Sequence, residues 1–98
     1  MESILQSDKS ICYLCRRPAC GDPLDKHHIF GASNRKNSER YGLTVYLHHR
    51  QCHIFGNESV HKNAEIRKCL QAIAQKIAME YHGWTEDDFR RIFGKSYI

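Results

Sequence analysis

Leu43-Thr-Val-Tyr-Leu-His-His-Arg-Gln-Cys-His53 passes from a short β-branched and aromatic run into three histidines and a cysteine. The first half has the composition of a strand, and the second that of a metal site. Upstream, His28-Ile-Phe30 is a second short apolar segment, and the two together predict a small β-hairpin. The intervening Gly31 to Gly42 reads as a long polar loop carrying Asn34, Arg35, Lys36, Asn37 and Arg40. Loops of that length inside a small domain commonly carry function, here contact with phosphates. Downstream the period changes. Ile66, Leu70, Ile73, Ile77 and Tyr81 recur at helical steps, which predicts a helix from about Ala64 to Tyr81 with that stripe in the core. Gly83 should end it, with His82 as a partner for the helix dipole. Thr85 and Asp88 form a capping-box pattern ahead of a short last helix that buries Phe89, Ile92 and Phe93, with the tail Gly94 to Ile98 packing back. The expected fold class is α+β, in a single domain over residues 1–98.

A chain of 98 residues leaves a hydrophobic core little margin, so a metal clip or a partner subunit would help. The N-terminus has no apolar run of signal length, and no stretch approaches the roughly 20 apolar residues of a membrane span. A soluble, unsecreted protein with no membrane partner is expected. Five cysteines are an odd number, and inside a reducing compartment such a set favours metal binding over disulfides. The formal net charge of +4 lies wholly between Lys26 and Arg50, where Glu39 is the one acid. A local basic segment of that kind suits nucleic acid.

Cys12-x-x-Cys15 is the spacing by which one turn brings two thiolates to a tetrahedral ion, and His49-x-x-Cys52 repeats it. Together they predict a structural Cys3His zinc site, with Cys20 or His48 as competitors for the position of His49. Cys69, alone on a helix, reads as a buried thiol. Cys12, Cys15 and His28 also have the spacing of three ligands of a C2H2 finger. That reading fails, because residues 32 to 34 are Ala, Ser and Asn where a second histidine is needed.

Six of the seven histidines lie between His27 and His61. Neighbours on a strand point to opposite sides, so His27 and His28 should divide the work, one holding a metal and the other moving a proton. Imidazole suits the second task because it titrates near neutral pH. His53 and His61 are candidate partners for the ligand.

The ordered set Asp25-Lys-His-His-Ile-Phe-Gly31, Ser38-Glu-Arg-Tyr-Gly-Leu43, Leu47-His-His-Arg-Gln-Cys-His53 and Ser59-Val-His61 resembles the HNH, or His-Me finger, endonucleases of the ββα-metal class. Small phage and prophage proteins related to the RecA-dependent nucleases are the nearest in pattern. The resemblance runs from Cys12 to about Asn63 and more loosely through Asp88-Phe-Arg-Arg-Ile-Phe-Gly-Lys-Ser-Tyr97. It implies a zinc-clipped ββα-metal core over residues 12–63 and a helical extension over 64–98. It also implies a metal-dependent DNA endonuclease with His28 as general base and a catalytic divalent cation, Mg2+, Mn2+ or Zn2+, on His27, His53 and His61. Asn57 is the alternative last ligand, and Asn34 or Asn37 would take the place of the family's middle asparagine. Arg35, Lys36 and Arg40 would meet DNA. The implied setting is phage recombination or DNA processing in the cytoplasm of a bacterial host, as monomer or homodimer, with a recombinase filament or another phage or host protein as a further partner. The rival expectation is a catalytically silent, zinc-stabilised module that binds nucleic acid or protein.

Overall fold

The computed structural model describes residues 1–54, 56 and 59–98, so Asn57 lies outside the described residues. Strands β1 (Leu24–His28) and β2 (Thr44–His48) pair antiparallel, with Leu24 opposite His48 and His28 opposite Thr44. β2 lies where its β-branched and aromatic residues predict it. β1 does not: its sequence Leu-Asp-Lys-His-His is polar, and it lies upstream of the expected His28 to Phe30 segment. Ile29 and Phe30 instead leave the strand and plunge into the core, 3% and 1% exposed.

The expected polar loop is mostly helical. A 3-10 turn (Ala32–Asn34) leads into α1 (Arg35–Tyr41). Ser38 fixes α1 against the exit of β1: fully buried, its hydroxyl donates to the Phe30 carbonyl at 2.7 Å and accepts from the Phe30 amide at 3.1 Å. Gly42 ends α1 in the left-handed region (φ 76°). A side chain there would also collide with the Glu2 carbonyl, 2.5 Å from the position of its first carbon.

A wide helical turn, His49–Ile54, follows β2 directly. Asp22 caps it, accepting from the amides of Arg50 and Gln51 at 2.9 and 3.0 Å. α2 (Ala64–His82) starts on the Asn63 side chain, which accepts from the amides of Glu65 and Ile66, and ends at Gly83. Its buried line is not the expected one. Leu70, Ala74, Gln75 and Ala78 face inward, whereas Ile73 and Tyr81 are 46% and 61% exposed. Alanines at four-residue spacing let the helix approach closely, and the large residues that define the apolar period are in part displaced from the contact. The Gln75 amide serves the tail, accepting from the Tyr97 amide at 2.6 Å and donating to Ser96 Oγ at 3.0 Å.

α3 (Glu86–Phe93) opens with the expected Thr85–Asp88 capping box. Phe89 and Phe93 are buried against Phe30, with ring centroids 5.4 and 4.9 Å away, and Tyr97 returns to the same ring at 4.8 Å. Hairpin, α2 and α3 therefore share one core. Among the described residues no helix is long and apolar enough to cross a membrane.

Candidate metal centres

The N-terminal knuckle is built by backbone hydrogen bonds. The Cys12 amide donates to the Arg17 carbonyl and the Arg16 amide to the Cys12 carbonyl, with Arg16 in the left-handed region. The Tyr13 amide then reaches the Tyr46 carbonyl of β2 at 2.8 Å, which brings both knuckle thiols to the end of the hairpin. There the ligand atoms of Cys12, Cys15, His48 and Cys52 all lie within 4.8 Å of one another. His48 Nδ1 is 3.2 Å from the Cys15 sulfur and 4.0 Å from that of Cys52. Tetrahedral zinc, with bonds of about 2.0 to 2.3 Å, holds its donors roughly 3.5 to 4 Å apart, so the set fits a structural ion.

His48 replaces the expected His49. The wide turn after β2 sets residues four apart on one side, so His48 travels with Cys52 and His49 with His53. His49 Nδ1 goes instead to the Asp25 carboxylate. His48 is also prepared as a ligand. Its Nε2 donates to the Pro18 carbonyl at 2.9 Å, leaving the Nδ1 lone pair aimed at the thiols. Cys20 and Cys69 are exposed and outside this set. Burial works against ionising Cys15, but hydrogen bonds from the Arg17 backbone and from Cys12 bring its pKa down to about 6. Cys52 is pushed up to about 12 by burial and by the neighbouring sulfurs of Cys12 and Cys15. Packed this closely, the thiols resist full ionisation, and a divalent cation in their midst removes that resistance.

His27, His53 and His61 form a second group of neighbouring ligand atoms. His27 is 8% exposed, and its Nδ1 faces His53 Nε2 at 3.2 Å. Two imidazoles reach that spacing by sharing a proton or by binding one ion. A third, His61, stands with its ring centroid 4.8 Å from that of His53 and 5.8 Å from that of His27, and the three ligand atoms lie within the same 4.8 Å limit. Burial, then the charges of His53, His61 and His28, depress the His27 pKa to about 3. His61 is lowered as well, by burial first and then by His53 and Arg67. Neutral rings crowded together offer lone pairs, which is the state a metal requires.

Asp25 and His27 are two apart on β1 and so share a face. His53 Nδ1 donates to Asp25 Oδ2 at 3.0 Å, which leaves His53 Nε2 as the lone-pair atom turned toward His27. Partial burial opposes ionisation of Asp25, but hydrogen bonds from His53 and His49 outweigh it and hold the carboxyl below its ordinary range. Asp25 joins the site because β1 begins at Leu24, upstream of the apolar segment His28 to Phe30. An outer-shell carboxylate of this kind fixes the ring of a ligand and raises its basicity. Asp25→Asn in zinc-clipped protein should therefore weaken binding of a second equivalent of Co2+ by about 10- to 100-fold, read from its visible absorption. Unchanged Co2+ affinity would remove Asp25 from the site.

His28 meets α1 rather than the other imidazoles. Its Nε2 meets Glu39 Oε2 at 2.8 Å, and Glu39 Oε1 accepts from Lys26 at 2.6 Å. Asn34 and Asn37, the expected loop asparagines, do not approach it: they donate to the Phe93 and Ile92 carbonyls at the end of α3. His27, His28, His53 and His61 line a cleft of about 500 Å³ together with Arg35 and Arg67. Lys36 lines an adjoining depression beside His28 and Arg35. Arg40 lies over the Tyr41 ring, 5.5 Å from its centroid. Arg67, absent from the expected DNA contacts, is held by a hydrogen bond to the Val60 carbonyl at 3.1 Å. No protein-family model, curated protein or solved structure matches the chain.

Proposed function

We propose that this protein is a metal-dependent DNA endonuclease of the HNH type, stabilised by zinc on Cys12, Cys15, His48 and Cys52 and acting in phage recombination or DNA processing. The observation that carries the reading is the open cleft in which three converging imidazoles, His27, His53 and His61, are overlooked by His28, Arg35 and Arg67. A closed four-ligand set suits structure, whereas three ligands in an open cleft leave positions for water and substrate. The donor chemistry agrees: an all-nitrogen set ranks transition ions such as Mn2+ or Zn2+ above Mg2+. When bound, the ion supplies Lewis-acid stabilisation of the charge that develops on the phosphate oxygens.

The chain's own residues supply the rest. His28 lines the same cleft but is tied to Glu39, outside the ligand set, so its ring is free of the ion and can accept the proton of an attacking water. Arg35 comes from α1 and Arg67 from α2, so cationic groups from two elements can hold a phosphate from two sides. Asp25 keeps His53 from turning. One cleft in one domain suits the cutting of a single strand.

The test is nicking of supercoiled plasmid with Mg2+, Mn2+ or Zn2+. His28→Ala should lower the rate by about 10²- to 10⁴-fold while bound zinc and helical circular dichroism stay unchanged. A wild-type protein inert with every ion, on single-stranded and duplex DNA alike, would end the nuclease reading and leave the silent zinc module.

A further inference from the structure

The acid at Glu39 interrupts the basic stretch from Lys26 to Arg50, and its placement gives it a specific task. α1 is anchored at Ser38, whose buried hydroxyl makes two hydrogen bonds to the Phe30 backbone, and Glu39 is the next residue. Its carboxylate is thereby presented to the face of β1 that carries Lys26 and His28. Oε1 takes the Lys26 ammonium at 2.6 Å and Oε2 meets His28 Nε2 at 2.8 Å. Hydrogen bonds from Lys26 first and His28 second hold the Glu39 carboxyl below its ordinary range, so it acts as an acceptor. An ionised carboxylate cannot donate, so Nε2 must carry the proton of this contact.

We infer that Glu39 is the positioning residue of the base, holding His28 in the Nε2–H tautomer so that Nδ1 is the atom left to take a proton. The inference rests on the nuclease reading for its kinetic consequence and on geometry for its structural one. Lys26 completes the arrangement by fixing the far oxygen, which restrains the carboxylate from rotating away from the ring. Asn34 and Asn37 cannot do this work while they hold the end of α3.

Long-range proton–nitrogen correlation spectra of the full-length, zinc-loaded protein at neutral pH read the tautomer directly. Wild type should place the proton on His28 Nε2, and Glu39→Ala should give the averaged nitrogen positions of a ring exchanging between tautomers. In Glu39→Gln the single amide oxygen goes to Lys26 and the NH2 group is left facing Nε2, so the proton should move to Nδ1. In plasmid nicking, Glu39→Ala should lower kcat by about 10- to 100-fold, less than the loss of the base itself, with little change in KM, and Glu39→Gln should lose at least as much, because Nδ1 then carries the proton. An unchanged His28 tautomer in Glu39→Ala overturns the inference, as does an unchanged kcat in a protein that cleaves. If wild type cleaves nothing, the nuclease reading falls, and the spectra still decide whether Glu39 holds the ring.

Discussion

Cys12→Ser should abolish the cooperative thermal transition of this protein rather than lower its midpoint by a few degrees. Cys12 is fully buried, and its sulfur belongs to a set that joins the N-terminal knuckle, the end of β2 and the turn carrying Cys52. A domain of this size has a net stability of about 5–15 kcal/mol. Zinc on a site of this type contributes an apparent 10–16 kcal/mol at neutral pH, comparable to or larger than the whole margin. A serine hydroxyl does not replace a thiolate, and removing one of four ligands also leaves the buried Cys52 and His48 and the half-buried Cys15 without an ion. What remains to hold the first 23 residues is the partial packing of Ile4, Leu5, Tyr13 and Leu14 against the core and a few hydrogen bonds: Gln6, which bridges the Ile11 carbonyl and the Tyr46 amide, the Tyr13 to Tyr46 hydrogen bond, and the Ile4 to Gly42 hydrogen bond. Circular dichroism melting with zinc analysis of the same sample checks it. A variant without zinc that melts within about 5 °C of wild type would show that the clip is not what stabilises the fold.

The parts of the molecule visible in the sequence are those where local chemistry and burial agree. β2 is β-branched and buried, α3 has its capping box ahead of two phenylalanines, and both appear where expected. β1 begins four residues ahead of the apolar segment His28 to Phe30 because a strand that carries a site is polar, and the apolar residues after it belong to the turn into the core. α1 left no apolar period at all: its buried residue is Ser38, held by hydrogen bonds that no hydrophobicity pattern records. Three members of the Cys3His cluster were legible, Cys12, Cys15 and Cys52. The fourth depended on whether the chain after β2 is read as extended spacing or as a helical turn, and the turn selects His48 over His49. Most of the histidine cluster was legible from residue type alone. Its supporting carboxylates were not, because Asp25 and Glu39 act through contacts 28 and 11 residues away along the chain.

The three-histidine centre invites a measurement that separates one shared ion from three independent imidazoles. His27→Ala and His53→Ala should each reduce nicking by about 10³-fold, since an ion worth several kcal/mol to the transition state is lost with either ligand. The double variant should lose little more than either single one, because there is nothing further to remove once the ion has gone. Independent contributions would instead multiply, to about 10⁶-fold. Fold control comes from the other centre: His27 and His53 are not in the Cys12, Cys15, His48 and Cys52 set, so all three variants should keep one tightly bound zinc. His27 needs that control most, being the buried member of the pair. Co2+ titration of the zinc-clipped protein gives a reading free of catalysis, with one extra equivalent bound by wild type and none at the same concentration by any of the three variants. Multiplying losses, or Co2+ binding that survives His53→Ala, would mean that His27 and His53 do not share an ion. The 3.2 Å between their nitrogens would then be a hydrogen bond and nothing more.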